Sequence, residues 1–275
     1  MNKTIRLVAI DQDGTLLDSH GQLSEKNSRA IRRAVAQGVM VIIATGKSQA
    51  SGRDVMAALG LNAPGVFTQG LVITAADGSV LFEQGLVSET AVSVINFAQT
   101  HQLPLLAYCG ERMLAENPGK YTDLLHDHYR EPKPEVVGSL IPWVGQITMN
   151  KLLISDEVTT ARTRAALEQL VGDNAVVVQA VPHYLEVLPP NTSKGKGLRW
   201  LLAHLNIDPA DVLAIGDGEN DLEMLEFVGV GVAMGNAGTA VRAVANHVVA
   251  TNDESGVAEA IETFVLNGEW RLEIE

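Results

Sequence analysis

Short apolar runs alternate with amphipathic segments along most of this chain, the pattern of βαβ units and a parallel sheet. Leu7–Ile10 reads as a buried strand. Ser24 reads as the N-cap of a helix to residue 37, with Ala30, Ile31, Ala34 and Val35 on one face and Gly38 at its stop. Residues 39–44 form a second apolar run, and 66–69 and 71–74 two more, followed by an Asp77-Gly78 turn. Near residue 80 the texture changes. Helix patterns at 88–101, 120–129 and 157–171 are interleaved with strand patterns at 103–108, 151–154, 175–179 and 185–188, and 132–142 is Pro-rich and irregular. The first pattern then resumes: helix 193–205, strand 212–215, helix 221–227, short strands Val230–Ala233 and 248–250, and a helix over 257–266. The simplest architecture is a core made of 1–80 and 188–275, interrupted by an insert over 81–187 of typical domain size.

Composition narrows the classes. With 275 residues, 46% of them hydrophobic, the chain can bury a substantial core. No run approaches the ~18 apolar residues of a membrane span, and the N-terminus lacks a signal-peptide pattern. The single cysteine, Cys109, excludes an intrachain disulfide and fits a reducing, cytoplasmic setting. Net charge is −13, which repels nucleic acid and anionic membranes. An acidic protein handling an anionic substrate needs a metal cation or buried basic groups at the site. The expectation is a monomer or weak dimer acting on a small molecule.

Candidate chemistry gathers at strand ends and helix starts. Asp11-Gln12-Asp13-Gly14-Thr15 follows the first apolar run, and in open α/β folds ligands bind at that end of the strands. One carboxylate can attack phosphorus while the other moves protons; alone, the string also reads as an Asp/Gly turn. Thr45-Gly46-Lys47 offers a hydroxyl and backbone N–H groups to an anion, or is an ordinary strand-to-helix turn. Lys194 begins a helix, where a cation opposes the helix dipole at a cost of ~0.3–1 kcal/mol if exposed, so its placement points to a functional use such as phosphoryl binding. Gly216-Asp217-Gly218-Glu219-Asn220-Asp221 again sets carboxylates after a strand, and hard oxygen ligands favour Mg2+. Together these segments supply what phosphoryl transfer needs: positioning, charge neutralisation and an in-line attacker.

These motifs, with Val232-Ala233-Met234-Gly235-Asn236-Ala237 and Asn252-Asp253-Glu254-Ser255-Gly256-Val257 in the tail, resemble the haloacid dehalogenase superfamily, specifically its Cof-type phosphatases with a large α/β cap (C2B). The resemblance implies a Rossmann-like parallel-sheet core with 81–187 as the cap that selects substrate. It implies Asp11 as nucleophile and Mg2+ ligand, and Asp13 as general acid/base and metal ligand through its carbonyl. Gln12, Thr45, Gly46, Lys194 and Asn220 are expected to hold the phosphoryl group, with Lys194 also neutralising charge in catalysis. The resemblance also implies that Asp217 ligates Mg2+ and that Asp221 supports it directly or through water. Asp13 argues against dehalogenation, since halide departure needs no proton donor.

Two positions depart from the family. Lys47 replaces the common arginine, which loses the bidentate fork and keeps the charge, and Gln69-Gly70 replaces the common Asn-Gly. Ala44-Thr45-Gly46-Lys47 and Gly65-Val66-Phe67-Thr68-Gln69-Gly70 resemble a plant and cyanobacterial branch. The expected activity is Mg2+-dependent hydrolysis of small phosphomonoesters (sugar phosphates, or pyridoxal- or flavin-related phosphates) through an aspartyl-phosphate. A phosphomutase would instead return the phosphoryl group to another hydroxyl, and phosphate release separates the two. A non-enzymatic phospho-ligand sensor would not need the set Asp11, Asp13, Lys194 and Asp217. In the insert, Tyr108, Trp143 and Tyr184 could stack on a ring or fill the core. Glu111-Arg112 could read sugar hydroxyls or form a solvated turn. His126 and His128, two apart on a helix, do not share a face.

Overall fold

A computed structural model describes residues 4–155, 160–181 and 183–268. The chain runs through β1 (Leu7–Ile10), α1 (Glu25–Ala36), β2 (Met40–Ile43), α2 (Gln49–Leu59), β3 (Gly65–Phe67), β4 (Val72–Thr74) and β5 (Val80–Glu83). It continues through α3 (Ser88–Thr100), β6 (Leu105–Cys109), β7 (Arg112–Ala115), α4 (Lys120–Asp127), β8 (Glu135–Val136), β9 (Lys151–Ser155), α5 (Thr160–Val171), β10 (Val176–Val181) and β11 (Tyr184–Leu188). It closes with α6 (Lys194–Leu205), β12 (Val212–Gly216), α7 (Leu222–Phe227), β13 (Val230–Ala233), α8 (Thr239–Val244), β14 (His247–Val248) and α9 (Gly256–Ile261).

These elements fall into two compact units: Met1–Gly46, Gly52–Leu81 and Ser193–Glu275 form one, and Lys47–Ser51 with Phe82–Thr192 the other. The first is built on a parallel sheet in the order β14-β13-β12-β1-β2. All four residues of β1 are buried, as a strand covered on both faces requires. β1 is an interior strand, with β12 on one side and β2 on the other, so the strand order reverses there. At such a switch point the carboxyl ends of the strands open a crevice for ligand.

The second unit carries a six-stranded sheet, β10-β11-β9-β6-β7-β8, antiparallel except for the β7–β8 pair. Side chains alternate between its faces. Ala107, Leu152, Ile154 and Val187 pack with Val94 and Ile95 of α3 and Leu167 of α5, whereas Leu106, Tyr108, Leu153 and Tyr184 cluster with Leu125 of α4.

Ser24 caps α1 as its position predicts, accepting from Asn27 N–H at 3.1 Å. Ala30, Ile31 and Ala34 are buried on that helix, but Val35 is 44% exposed and lies off the core face. α2, β5, β7 and α8 have no counterpart in the sequence periodicity, nor has β8, which lies in the 132–142 stretch expected to be irregular. The stretch 66–69 does not continue as a strand: β3 ends at Phe67 and the chain turns over Thr68–Gly70. Residues 157–159, expected to begin a helix, lie outside the described residues. No described helix is long and apolar enough to cross a membrane.

Candidate active site

The carboxyl ends of β1 and β12 carry the acidic groups. Asp11 directly follows β1, its N–H bonded to the Ile215 carbonyl at 3.0 Å, which locks the first motif to the strand that delivers the last. Asp11 is 5% exposed and Gln12 1%, while the Asp13 side chain is exposed. Gly14 has φ +76°, and a Cβ there would come 2.4 Å from Asp217 Oδ2. Only glycine both adopts that turn and lets Asp217 approach. Thr15 Oγ1 then donates to Asp217 Oδ1 at 2.8 Å, and Asn236 Nδ2 donates to Gly14 O at 2.8 Å and to Asp217 Oδ2 at 3.2 Å.

Lys194, on the first turn of α6, is 1% exposed. Its Nζ donates to Asp11 Oδ1 at 2.5 Å and to Asp221 Oδ1 at 2.8 Å. Ser193 caps the same helix by accepting from Lys196 N–H at 3.0 Å. Asp221 accepts at its other oxygen from the N–H groups of Asp217 and Gly218, at 3.0 and 2.9 Å. Its carboxylate thus organises the loop while holding Lys194.

Burial works against the Lys194 charge, yet the Asp11 and Asp221 carboxylates outweigh it and hold the ammonium above its ordinary value. Burial also pushes the Asp11 carboxyl well above the usual range; Lys194 opposes this, and Asp221 and Asp217 add to it. Asp217 is raised as well, by burial first, with the Thr15 hydroxyl opposing. One lysine does not neutralise three carboxylates. Oxygens of Asp11, Asp217 and Asp221 lie within 4.8 Å of one another, and this crowded set of hard oxygens fits a small divalent cation such as Mg2+.

The anion-binding segment follows β2. Thr45 is buried, and its N–H donates to the Val66 carbonyl at 2.8 Å. Asn220 is exposed and donates to Gln69 Oε1 at 3.2 Å. Thr68 and Gln69 both hold positive φ, a conformation that costs of order 1–3 kcal/mol per non-glycine residue and persists only where surroundings impose it. Lys47 donates from Nζ to the Tyr129 carbonyl at 2.5 Å within the second unit, so its ammonium has a fixed partner.

In sequence, Thr15, Gln69 and Asn236 carry no role of their own. Thr15 and Asn236 lie inside the motifs at 11–15 and 232–237, and Gln69 is the departure from the family's Asn-Gly. In the insert, Arg112 forms a two-pronged pair with Glu135 at 2.8 and 2.7 Å, and its guanidinium lies over the Trp143 ring. Tyr184 is fully buried and Tyr108 nearly so. His126 Nδ1 bonds the Glu131 carbonyl at 2.8 Å. Cys109 is buried, which pushes its thiol up to about 12.

A family model described as haloacid dehalogenase-like hydrolase matches residues 8–261. The chain belongs to the haloacid dehalogenase-like hydrolase family. Among curated relatives, it is 37% identical to "Endoribonuclease YBEY, chloroplastic" of Arabidopsis thaliana, over 91% of this chain but 45% of that protein. The chain therefore spans less than half the length of that relative. It is 31% identical to a putative phosphatase of Streptococcus pyogenes, over 96% of this chain and all of the other. Among solved structures, a haloacid dehalogenase-like hydrolase from Bacteroides thetaiotaomicron superposes with a TM-score of 0.87 at 29% identity, covering 94% and 99% of the two chains. Its α/β architecture with a parallel-sheet core is thus that of the haloacid dehalogenase-like hydrolases.

Proposed function

We propose that this protein is a Mg2+-dependent phosphatase that hydrolyses small phosphomonoesters through a phosphoryl group carried on Asp11. The observation that carries the reading is the buried Asp11 carboxylate at the end of β1, joined to Lys194 at 2.5 Å beside Asp217 and Asp221. A carboxylate placed so can act as nucleophile, while the lysine offsets the charge of an approaching dianion.

In the first step an Asp11 oxygen forms a bond to phosphorus as the ester P–O bond breaks, and Asp13 gives its proton to the departing alkoxide. In the second step Asp13 takes a proton from water, the water oxygen attacks phosphorus, the Asp11 acyl phosphate opens, and inorganic phosphate leaves. Thr45, Gly46, Asn220 and the backbone at Gln12 hold the phosphoryl oxygens. Asp11 and Asp217, with the Asp13 carbonyl, would hold Mg2+, and Asp221 stands behind them on Lys194 and the 217–218 backbone. When bound, the ion neutralises charge on the phosphoryl oxygens.

The insert over 81–187 is proposed to select the leaving group. Relatives support a small phosphorylated metabolite as substrate: a Bacillus subtilis protein 27% identical over 95% of this chain is named a 5-amino-6-(5-phospho-D-ribitylamino)uracil phosphatase. A phosphate-release screen with Mg2+ over sugar phosphates, pyridoxal phosphate and flavin-related phosphates tests the proposal. Release from at least one ester, with equal loss of that ester, is expected. Ester isomerisation without release would overturn hydrolysis in favour of a mutase.

A further inference from the structure

The turn Thr68–Gly70 has three consecutive residues at positive φ, 51°, 59° and 89°. Thr68 and Gln69 are neither glycine nor asparagine, and both are buried, so tertiary contacts hold them there. Those contacts reach the candidate site from three directions. Gln69 N–H donates to the Thr45 carbonyl at 3.2 Å. The Gln69 side chain occupies the space over Gly46, where a Cβ would meet Nε2 at 2.7 Å. Its Oε1 accepts from Asn220 Nδ2 at 3.2 Å. Next to it, Gly70 abuts the start of α6, since a Cβ there would lie 2.4 Å from the carbonyl of Ser193, the residue before Lys194.

We infer that Gln69 is a positioning residue for phosphate binding, fixing the separation between the Thr45–Gly46 segment and Asn220. The inference rests on the phosphatase reading above. One Nδ2 proton of Asn220 is taken by Gln69, which leaves the second for an anion oxygen. The length of glutamine matters, because its amide both covers Gly46 and meets Asn220. Asparagine, one methylene shorter, cannot do both from the same backbone.

The test compares the full chain with Gln69→Gly, Gln69→Asn, Asn220→Ala and the Gln69→Gly/Asn220→Ala pair. Glycine and asparagine both tolerate a left-handed backbone, so the turn is retained. Calorimetric titration with inorganic phosphate in Mg2+ gives affinity, and p-nitrophenyl phosphate gives kcat and KM. Each single substitution should weaken phosphate binding about tenfold and raise KM more than it lowers kcat. The pair should bind little worse than the weaker single variant, because both remove one interaction. A purely structural role would lower melting temperature and leave phosphate affinity unchanged. Wild-type affinity in Gln69→Gly, or fully additive losses in the pair, would overturn the inference while leaving wild-type hydrolysis intact. A wild-type chain that neither binds phosphate nor hydrolyses esters would overturn both readings.

Discussion

Lys194 Nζ lies 2.5 Å from Asp11 Oδ1, across 183 residues of sequence, and only 1% and 8% of the two side chains are exposed. The same ammonium serves Asp221, which is fully buried. Removing it leaves two carboxylates without their cation in a medium that cannot solvate them. Lys194→Met should therefore destabilise the fold by ~3–5 kcal/mol, the range for breaking a buried pair, and abolish turnover. Lys194→Met with Asp221→Asn should regain part of the melting temperature and none of the activity. Thermal melts beside an activity assay check this; a Lys194→Met protein that melts and turns over like wild type would refute it.

Three acidic side chains around one lysine lead us to predict that activity depends on a divalent cation. Chelation by EDTA should abolish hydrolysis and Mg2+ should restore it. Ca2+ should substitute poorly, since its longer and looser coordination misplaces the attacking carboxylate. Steady-state rates across a metal series measure this, and full turnover in excess chelator would contradict it.

Much of the site was legible because polar residues follow directly on apolar runs. Asp11 after Leu7–Ile10, Thr45 after β2 and Asp217 after β12 are strand ends, where a parallel sheet places its ligands. Lys194 stood out because a helix start disfavours a cation. What was not legible depends on tertiary contact. Gln69 has no turn-forming chemistry, and it is bonded through its N–H to Thr45 and through its side chain to Asn220, both in distant segments. α2 leaves no clear helical pattern because Ser51 and Gly52 in its first turn weaken it, whereas the glycine leaves room for Phe67, whose ring would lie 2.4 Å from a Cβ there. The grouping of 47–51 with the second unit follows from Ser48 and Glu131, 83 residues apart, a pairing no local periodicity encodes.

Glu131 gives stability a predictable pH dependence. It is 4% exposed and accepts from Ser48 Oγ at 2.5 Å and from Tyr108 OH at 3.3 Å. Burial raises its pKa, against the opposing effects of Ser48, Lys151 and Lys47. A carboxyl raised in the folded state contributes most below its unfolded value, and that contribution is lost as pH rises through the folded value. The melting temperature of Glu131→Gln minus that of wild type should therefore increase from pH 4 to pH 7. A flat or falling difference would contradict the assignment.

The proposed division of labour between Asp11 and Asp13 is open to direct measurement. Asp13→Asn keeps the backbone carbonyl but loses the proton donor and the base for the hydrolytic step. General acid–base catalysis contributes ~10²–10⁴-fold, so alkyl esters should become very slow. p-Nitrophenyl phosphate has a leaving group that needs little protonation. With it, Asp13→Asn should release up to one equivalent of nitrophenol in a burst and then stall, and rapid-quench mass spectrometry should place the phosphoryl group on the peptide containing Asp11. A slow reaction without a burst, equally poor for aryl and alkyl esters, with no phosphate on that peptide, would contradict the account.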